Sequence, residues 1–138
     1  MPSDERSASL LVVDDDPDIR LLVLNVLTDE GWEVRGTETG TEALQLLQIW
    51  RPDVILLDVV LPVMSARSFR TEVDKTEAFR DIPIIVMSGV ADLRQTAGAL
   101  RAAAALRKPF PVEELVRVIT SVSSRHRTGR HCATVPLP

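Results

Sequence analysis

The sequence predicts an alternating α/β domain with a doubly wound parallel sheet, built from five βα units. Three observations predict it. Four short apolar runs of strand length, Leu10–Val13, Val54–Leu57, Ile82–Met87 and Ala103–Leu106, are separated by segments of helical period. The Val54–Leu57 run is continuously apolar, as a strand covered on both faces must be. Each run stops at or near a chemically useful side chain: Asp14-Asp15-Asp16, Asp58, Ser88 and Lys108. Open parallel sheets gather ligands at the carboxyl ends of their strands, so these four endings are expected to converge.

The elements follow in order. After Val13, Asp16 is suited to cap a helix whose first position is Pro17, with Ile19, Leu22, Val23, Val26 and Leu27 at helical spacing and Gly31 beyond its end. Trp32–Arg35 alternates like a short strand. Thr39 and Glu42 form a capping box ahead of Ala43, Leu46, Leu47 and Trp50, and Arg51-Pro52 closes that helix. After Asp58 and a loop carrying Pro62, a polar helix is expected from about Ser65 to Phe79. The β-branched run Ile82–Met87 tolerates Pro83 at its start. A further helix begins near Asp92. Ala102–Ala105 favours helix by propensity, and only the alternation of elements makes its end a strand. Pro111 then opens a last helix, with Glu113 and Glu114 in its positive first turn and Val112, Leu115, Val116 and Ile119 inward. From Ser123 the composition shifts to Ser, Arg, His, Thr and Pro, which reads as an exposed tail. The expected organisation is a flexible amino terminus at 1–8, one domain at 9–122 and a flexible basic tail at 123–138, where Arg125, Arg127 and Arg130 could touch a partner. No output domain is expected in 138 residues.

The net charge of −4 argues against nucleic acid as the main partner, because binding phosphates needs a clustered basic face. Hydrophobic residues at 45% and charged residues at 26% describe a soluble globular chain, and no run is long enough to span a bilayer. Met1–Ser9 lacks the features of a secretory signal, and the single Cys132 cannot form an internal disulfide, so the cytoplasm is the expected setting.

Asp14, Asp15 and Asp16 brought near Asp58 repel one another unless a cation or a proton relieves them. Magnesium suits such a group: it takes oxygen ligands, keeps several waters and is held by one or two carboxylates plus a phosphate. Asp15 and Asp58 are the expected direct ligands, with Asp14 acting through water. The plainer account, in which an Asp run only caps a helix, fits Asp16. It fits Asp14 and Asp15 poorly, since a second carboxylate stands at the end of a strongly apolar strand, where it is costly without a purpose. Asp58 can then attack a phosphoryl group in line to form an aspartyl phosphate. Ser88 can donate its hydroxyl to one phosphoryl oxygen and Lys108 can neutralise another. Alone, Ser88 would be a turn residue and Lys108 a surface charge; as third and fourth members at the right strand ends they gain meaning.

Over about Leu10 to Ser121 the chain resembles the receiver domain of bacterial two-component response regulators, the CheY-like superfamily. The matching stretches are Leu11–Pro17, Pro52–Asp58, Leu61–Met64, Pro83–Gly89 and Lys108–Phe110. The resemblance implies a flavodoxin-like (βα)5 sheet of order 2-1-3-4-5 and magnesium as cofactor. It also implies phosphorylation of Asp58 by a histidine kinase or phosphotransfer protein. It further implies that the backbone carbonyl of Val60 joins Asp14, Asp15 and Asp58 around the metal, and that Ser88 and Lys108 follow the phosphoryl group. The chain departs from the family pattern in three places: Ala105 stands where an aromatic is usual, and Ala66 and Arg101 stand at or near positions that are often glycine. The stretch from Ser88 to Lys108 is also short by a residue or two.

The expectation is therefore a phosphoacceptor that signals through altered contacts with a downstream protein, assisting its own phosphoryl transfer but not turning over as an enzyme. Two rivals remain. A receiver-like scaffold could bind a partner constitutively, as Ala105, Ala66 and Arg101 would suit. A magnesium-dependent phosphohydrolase could use the Asp-x-Asp spacing of Asp14 and Asp16, although such enzymes need a longer core and a cap that excludes water.

Overall fold

A computed structural model describes residues 8–89 and 91–131, with side chains as far as Ser124. Five parallel strands, β1 (Ser9–Val13), β2 (Glu33–Thr37), β3 (Val54–Asp58), β4 (Ile84–Ser88) and β5 (Ala104–Arg107), form one sheet in the order 2-1-3-4-5. The helices are α1 (Pro17–Asp29), α2 (Gly40–Leu47), α3 (Ala66–Asp74), α4 (Glu77–Arg80), α5 (Leu93–Ala99) and α6 (Val112–His131). This is the flavodoxin-like arrangement expected, with six helices where five were anticipated.

Helices on both faces explain the continuous apolar runs. Every residue of β1, β3 and β4 is buried, whereas the edge strands β2 and β5 are largely exposed or half-buried. Alternate residues of β1 and β3 feed two cores: Leu11, Val13, Ile55 and Leu57 face α2, α3 and α5, and Leu10, Val12, Val54 and Leu56 face α1 and α6. Each fully buried leucine contributes on the order of 2 kcal/mol of burial free energy, so the sheet centre is the rigid platform on which the strand ends are fixed.

The local signals act as chemistry dictates. Asp16 caps α1, accepting from the Asp18 N–H at 2.9 Å, and Pro17 opens the helix. Thr39 caps α2 and accepts from the Glu42 N–H at 3.1 Å, while the Glu42 carboxylate reaches back one residue further than a standard capping box, to the Glu38 N–H at 2.9 Å.

Two helix expectations need correction. The single helix expected from Ser65 to Phe79 is two, α3 and α4, broken at Lys75 and Thr76. The reason is phase. Val73 and Phe79 are both in the core, yet six residues of continuous helix would turn Phe79 by about 600°, well off the face of Val73. The break at Thr76 turns it back. The last helix also continues past Ser123 to His131 rather than giving way to a tail. Val122 and Ser123 are buried, and no proline interrupts the chain before Pro136, so the helix propagates through residues whose composition suggested coil. Of the segments expected to be flexible, 1–8 and 123–138, residues 1–7 and 132–138, Cys132 included, lie outside the described residues, as do the side chains of Arg125, Arg127 and Arg130.

Backbone geometry departs at two positions near the sequence's unusual residues. Arg101, before β5, has φ 53°, and Val63, in the loop between β3 and α3, has φ 70°. A β-branched residue is strained in this left-handed region, whereas asparagine is at ease there. Val63 is 86% exposed, so little burial is lost on replacing it. Val63→Asn is expected to stabilise the domain by about 1 kcal/mol, read as a higher urea midpoint; an unchanged or lower midpoint would show that the loop is not strained.

Candidate functional site

The sheet register brings the site together. β1 and β3 pair Val13 with Leu57, so the next residues, Asp14 and Asp58, emerge side by side at the carboxyl edge. β3 and β4 pair Asp58 with Met87, which sets Ser88 one residue further on, and β4 and β5 pair Ser88 with Arg107, just ahead of Lys108. The Lys108 N–H donates to the Ser88 carbonyl at 2.9 Å, and the Lys108–Pro109 bond is cis. Four distant stretches thus meet at one edge.

Asp14 is fully buried and held at every polar atom. Its Oδ1 accepts from the Asp16 N–H at 2.9 Å and its Oδ2 from Lys108 Nζ at 2.7 Å. Its own N–H donates to the Thr37 carbonyl at 3.1 Å, and its carbonyl accepts from Arg20 Nη1 at 2.8 Å. Asp58 is 6% exposed; Oδ1 accepts from the Val60 N–H at 3.0 Å and Oδ2 from Lys108 Nζ at 3.2 Å. Asp15 is exposed, and one carboxylate oxygen from each of Asp14, Asp15 and Asp58 lies within 4.8 Å of the others. Asp16 turns aside to cap α1. Ser88 is buried at the end of β4.

Lys108 is the resident counter-charge of this cluster, bridging Asp14 and Asp58 before any ligand is considered. One ammonium against three carboxylates leaves the cluster negative. Burial pushes the Asp58 carboxyl above its usual range; the Val60 N–H opposes this, the charge of Asp14 adds to it and Lys108 opposes it. Burial by itself would lower the Lys108 ammonium, but its hydrogen bond to Asp14 and the charges of Asp58 and Asp14 outweigh that and hold it above its ordinary value. The lysine is therefore charged at neutral pH.

The donor set fits a small hard divalent cation. All the groups offered are oxygens, the cluster has unbalanced negative charge, and exposed Asp15 leaves one side open to water. Sequence patterning did not single out Arg20, whose guanidinium anchors the Asp14 carbonyl. Its only signal is its place on the first turn of α1, where its N–H bonds to the Asp16 carbonyl at 3.1 Å.

Residues 10–120 match the family model of the response regulator receiver domain. Among curated relatives, the DNA-binding transcriptional regulator NtrC of Klebsiella pneumoniae is 28% identical over 91% of this chain and 27% of its own length. The transcriptional regulatory protein PdtaR of Mycobacterium tuberculosis is 31% identical over 86% of this chain and 58% of its own. The chain thus spans about a quarter to about three fifths of these relatives. Among solved structures, the chemotaxis response regulator CheY4 of Vibrio cholerae superposes with a TM-score of 0.79 at 35% identity, covering 84% of this chain and 98% of that one. NtrX of Brucella abortus gives 0.84 at 28% identity, covering 96% of this chain and 30% of that one. The chain belongs to the response regulator receiver family of two-component systems.

Proposed function

We propose that the chain is a cytosolic phosphoacceptor, with Asp58 phosphorylated in a magnesium-dependent reaction by a histidine kinase or a phosphotransfer protein, residues 9–122 being the unit that carries this function. The observation that carries the reading is the company Asp58 keeps: a nearly buried carboxylate with Asp14 and Asp15 within 4.8 Å and Lys108 Nζ at 3.2 Å. A scaffold has no need of charges held together at such cost.

Asp14, Asp15, Asp58 and the Val60 carbonyl would hold Mg²⁺, which when bound offsets the charge of the carboxylates and of the incoming phosphoryl group. An oxygen of Asp58 forms the new bond to phosphorus while the phosphorus–nitrogen bond to the donor histidine breaks. The electron pair stays with the imidazole, which takes a proton from solvent. Lys108 moves its ammonium from the Asp58 carboxylate to a phosphoryl oxygen, and the Ser88 hydroxyl donates to another. That movement at the ends of β4 and β5 alters the surface of α5, β5 and α6, where a downstream protein partner would bind. The phosphohydrolase reading loses support because Asp14, its required nucleophile, is fully buried, whereas Asp58 keeps some exposure.

The test is incubation of the full chain with Mg²⁺ and a small phosphoryl donor, followed by mass mapping of the modified peptide. One phosphoryl group on Asp58 is expected; none, or modification of Asp14 instead, would overturn the reading. Val60, 63% exposed and two residues from the acceptor, places an apolar side chain at the mouth of the site. Val60→Asn, which offers a polar group to an attacking water, is expected to shorten the aspartyl phosphate lifetime several-fold, and an unchanged lifetime would discard that role.

A further inference from the structure

β2 ends the sheet on one side. Glu33 donates its N–H to the Ala8 carbonyl at 2.8 Å, and the Thr37 carbonyl accepts from Asp14 at 3.1 Å. By the alternation of a parallel ladder, Glu33, Arg35 and Thr37 therefore bond inward to β1, and Val34 and Gly36 turn their N–H and C=O outward. Such an edge is a template for another strand unless proline, lysine, a bulge or a covering segment blunts it. β2 contains neither proline nor lysine, and Gly36 carries no side chain of its own, with Arg20 and Val12 packed against one face of it. Grooves run along both sides of this edge. One of about 290 Å³ lies toward α1 and is lined in part by Leu21, Leu24 and Val34. The other, about 580 Å³, lies toward α2 and is lined in part by Arg35 and Ile49. Leu21, Leu24 and Ile49 are all exposed large apolar side chains.

Charge selects the occupant. Glu33 and Arg35 lie on the same face of β2, ion-paired at 3.1 Å, with about half of each side chain open to solvent. If a second β2 runs antiparallel to the first about a two-fold axis at Val34, each Glu33 stands opposite Arg35 of the other copy, and each Arg35 opposite Glu33. The four charges then alternate in sign around the seam. The two Val34 residues, whose polar groups face outward, exchange both backbone bonds at the centre. Gly36, against which the Arg20 side chain packs, falls opposite Trp32. A register centred on Arg35 would set arginine against arginine, and one centred on Gly36 would leave Glu33 and Arg35 without opposite charges. The sequence Glu33-Val34-Arg35 is self-complementary in one register only.

We infer that the edge of β2, unpaired among the described residues, is a self-association surface, on which a second copy of this chain adds its own β2 antiparallel about Val34 to make a continuous ten-stranded sheet. The contact is isologous and closes at two copies. Leu21 and Leu24 of the two α1 helices flank the seam on one face. Because the paired strands run in opposite directions, the two acidic sites open at opposite ends of the assembly and neither covers the other.

Sedimentation equilibrium of the full chain from micromolar to millimolar concentration tests this. The wild type is expected to approach twice the monomer mass. Glu33→Arg places two positive charges on the edge and Arg35→Glu two negative ones, so each alone opposes like charges across the seam and stays monomeric where the wild type is dimeric. An equimolar mixture of the two variants is expected to form a heterodimer. Val34→Pro removes an N–H that β1 does not use, and is expected to be folded and monomeric. A wild type that remains monomeric throughout, a dimer indifferent to both charge variants, or a mixture that stays monomeric would overturn the proposal.

Discussion

Replacing Asp58 with asparagine is expected to abolish phosphoryl incorporation and, in the metal-free protein, to raise stability. Asparagine keeps the shape and the acceptor oxygen for the Val60 N–H, but it cannot attack phosphorus as a carboxylate does. The stability effect has the opposite sign to most substitutions at buried sites, and its cause is charge. Burial and the neighbouring Asp14 hold the Asp58 carboxyl above its usual range. An acid whose folded pKa is raised binds its proton more readily when folded, so its ionisation costs stability as pH rises from the unfolded value, 3.8, through the folded one. Once the pH is above both values that cost is fully present in the metal-free wild type, and it is absent in Asp58→Asn. A gain on the order of 1 kcal/mol, or about 4 °C in Tm for a domain of this size, is expected in a chelator-containing buffer. Adding Mg²⁺ should stabilise the wild type more than the variant, since a ligand that binds only the folded state stabilises in proportion to its occupancy. A variant less stable than the wild type at neutral pH without metal would contradict the account of the electrostatics.

Lys108→Met is expected to do the reverse. It keeps the length of the apolar stem and removes the ammonium that sits 2.7 Å from Asp14 and 3.2 Å from Asp58. Two buried carboxylates are then left to face each other. Stripping one partner from a fully buried pair costs roughly 3–5 kcal/mol. Lys108 retains 23% of its side-chain exposure, so water screens part of this, and a loss of about 2 kcal/mol is expected without metal. Divalent cation should recover much of that loss, because it supplies the missing positive charge. Urea unfolding with and without Mg²⁺ checks both statements, and a Lys108→Met protein as stable as wild type in chelator would contradict them. The asymmetry between the two variants is itself informative: one removes excess negative charge, the other removes the ammonium that bridges Asp14 and Asp58.

Most of the fold was legible because its signals are local and redundant. The runs ending at Val13, Leu57 and Met87 carry the central strands, and Asp16, Thr39 and Pro111 mark helix starts by chemistry that does not depend on the rest of the chain. The convergence of Asp14, Asp58, Ser88 and Lys108 followed from a rule about parallel sheets. What escaped depends on tertiary phase. The break at Thr76 exists so that both Val73 and Phe79 reach one core, and nothing in the polar stretch between them announces it. The run of α6 to His131 was hidden because Ser, Arg, His and Thr resemble coil in composition although none forbids a helix. Arg20 was missed because an arginine on a first helical turn ordinarily faces water, and its bond to the Asp14 carbonyl depends on how β1 leads into α1.

Asp58, Asp14 and Asp15 are proposed to form one oxygen-lined cation site whose acceptor is Asp58. A crystal soaked with Mg²⁺ and beryllofluoride, a stable mimic of the phosphoryl group, examines it directly. The predicted density has beryllium bonded to a carboxylate oxygen of Asp58, a metal contacting Asp15, Asp58 and the Val60 carbonyl with Asp14 reached through water, and Lys108 Nζ on a fluoride. Beryllofluoride bound away from Asp58, or a metal held without any of the three carboxylates, would contradict it.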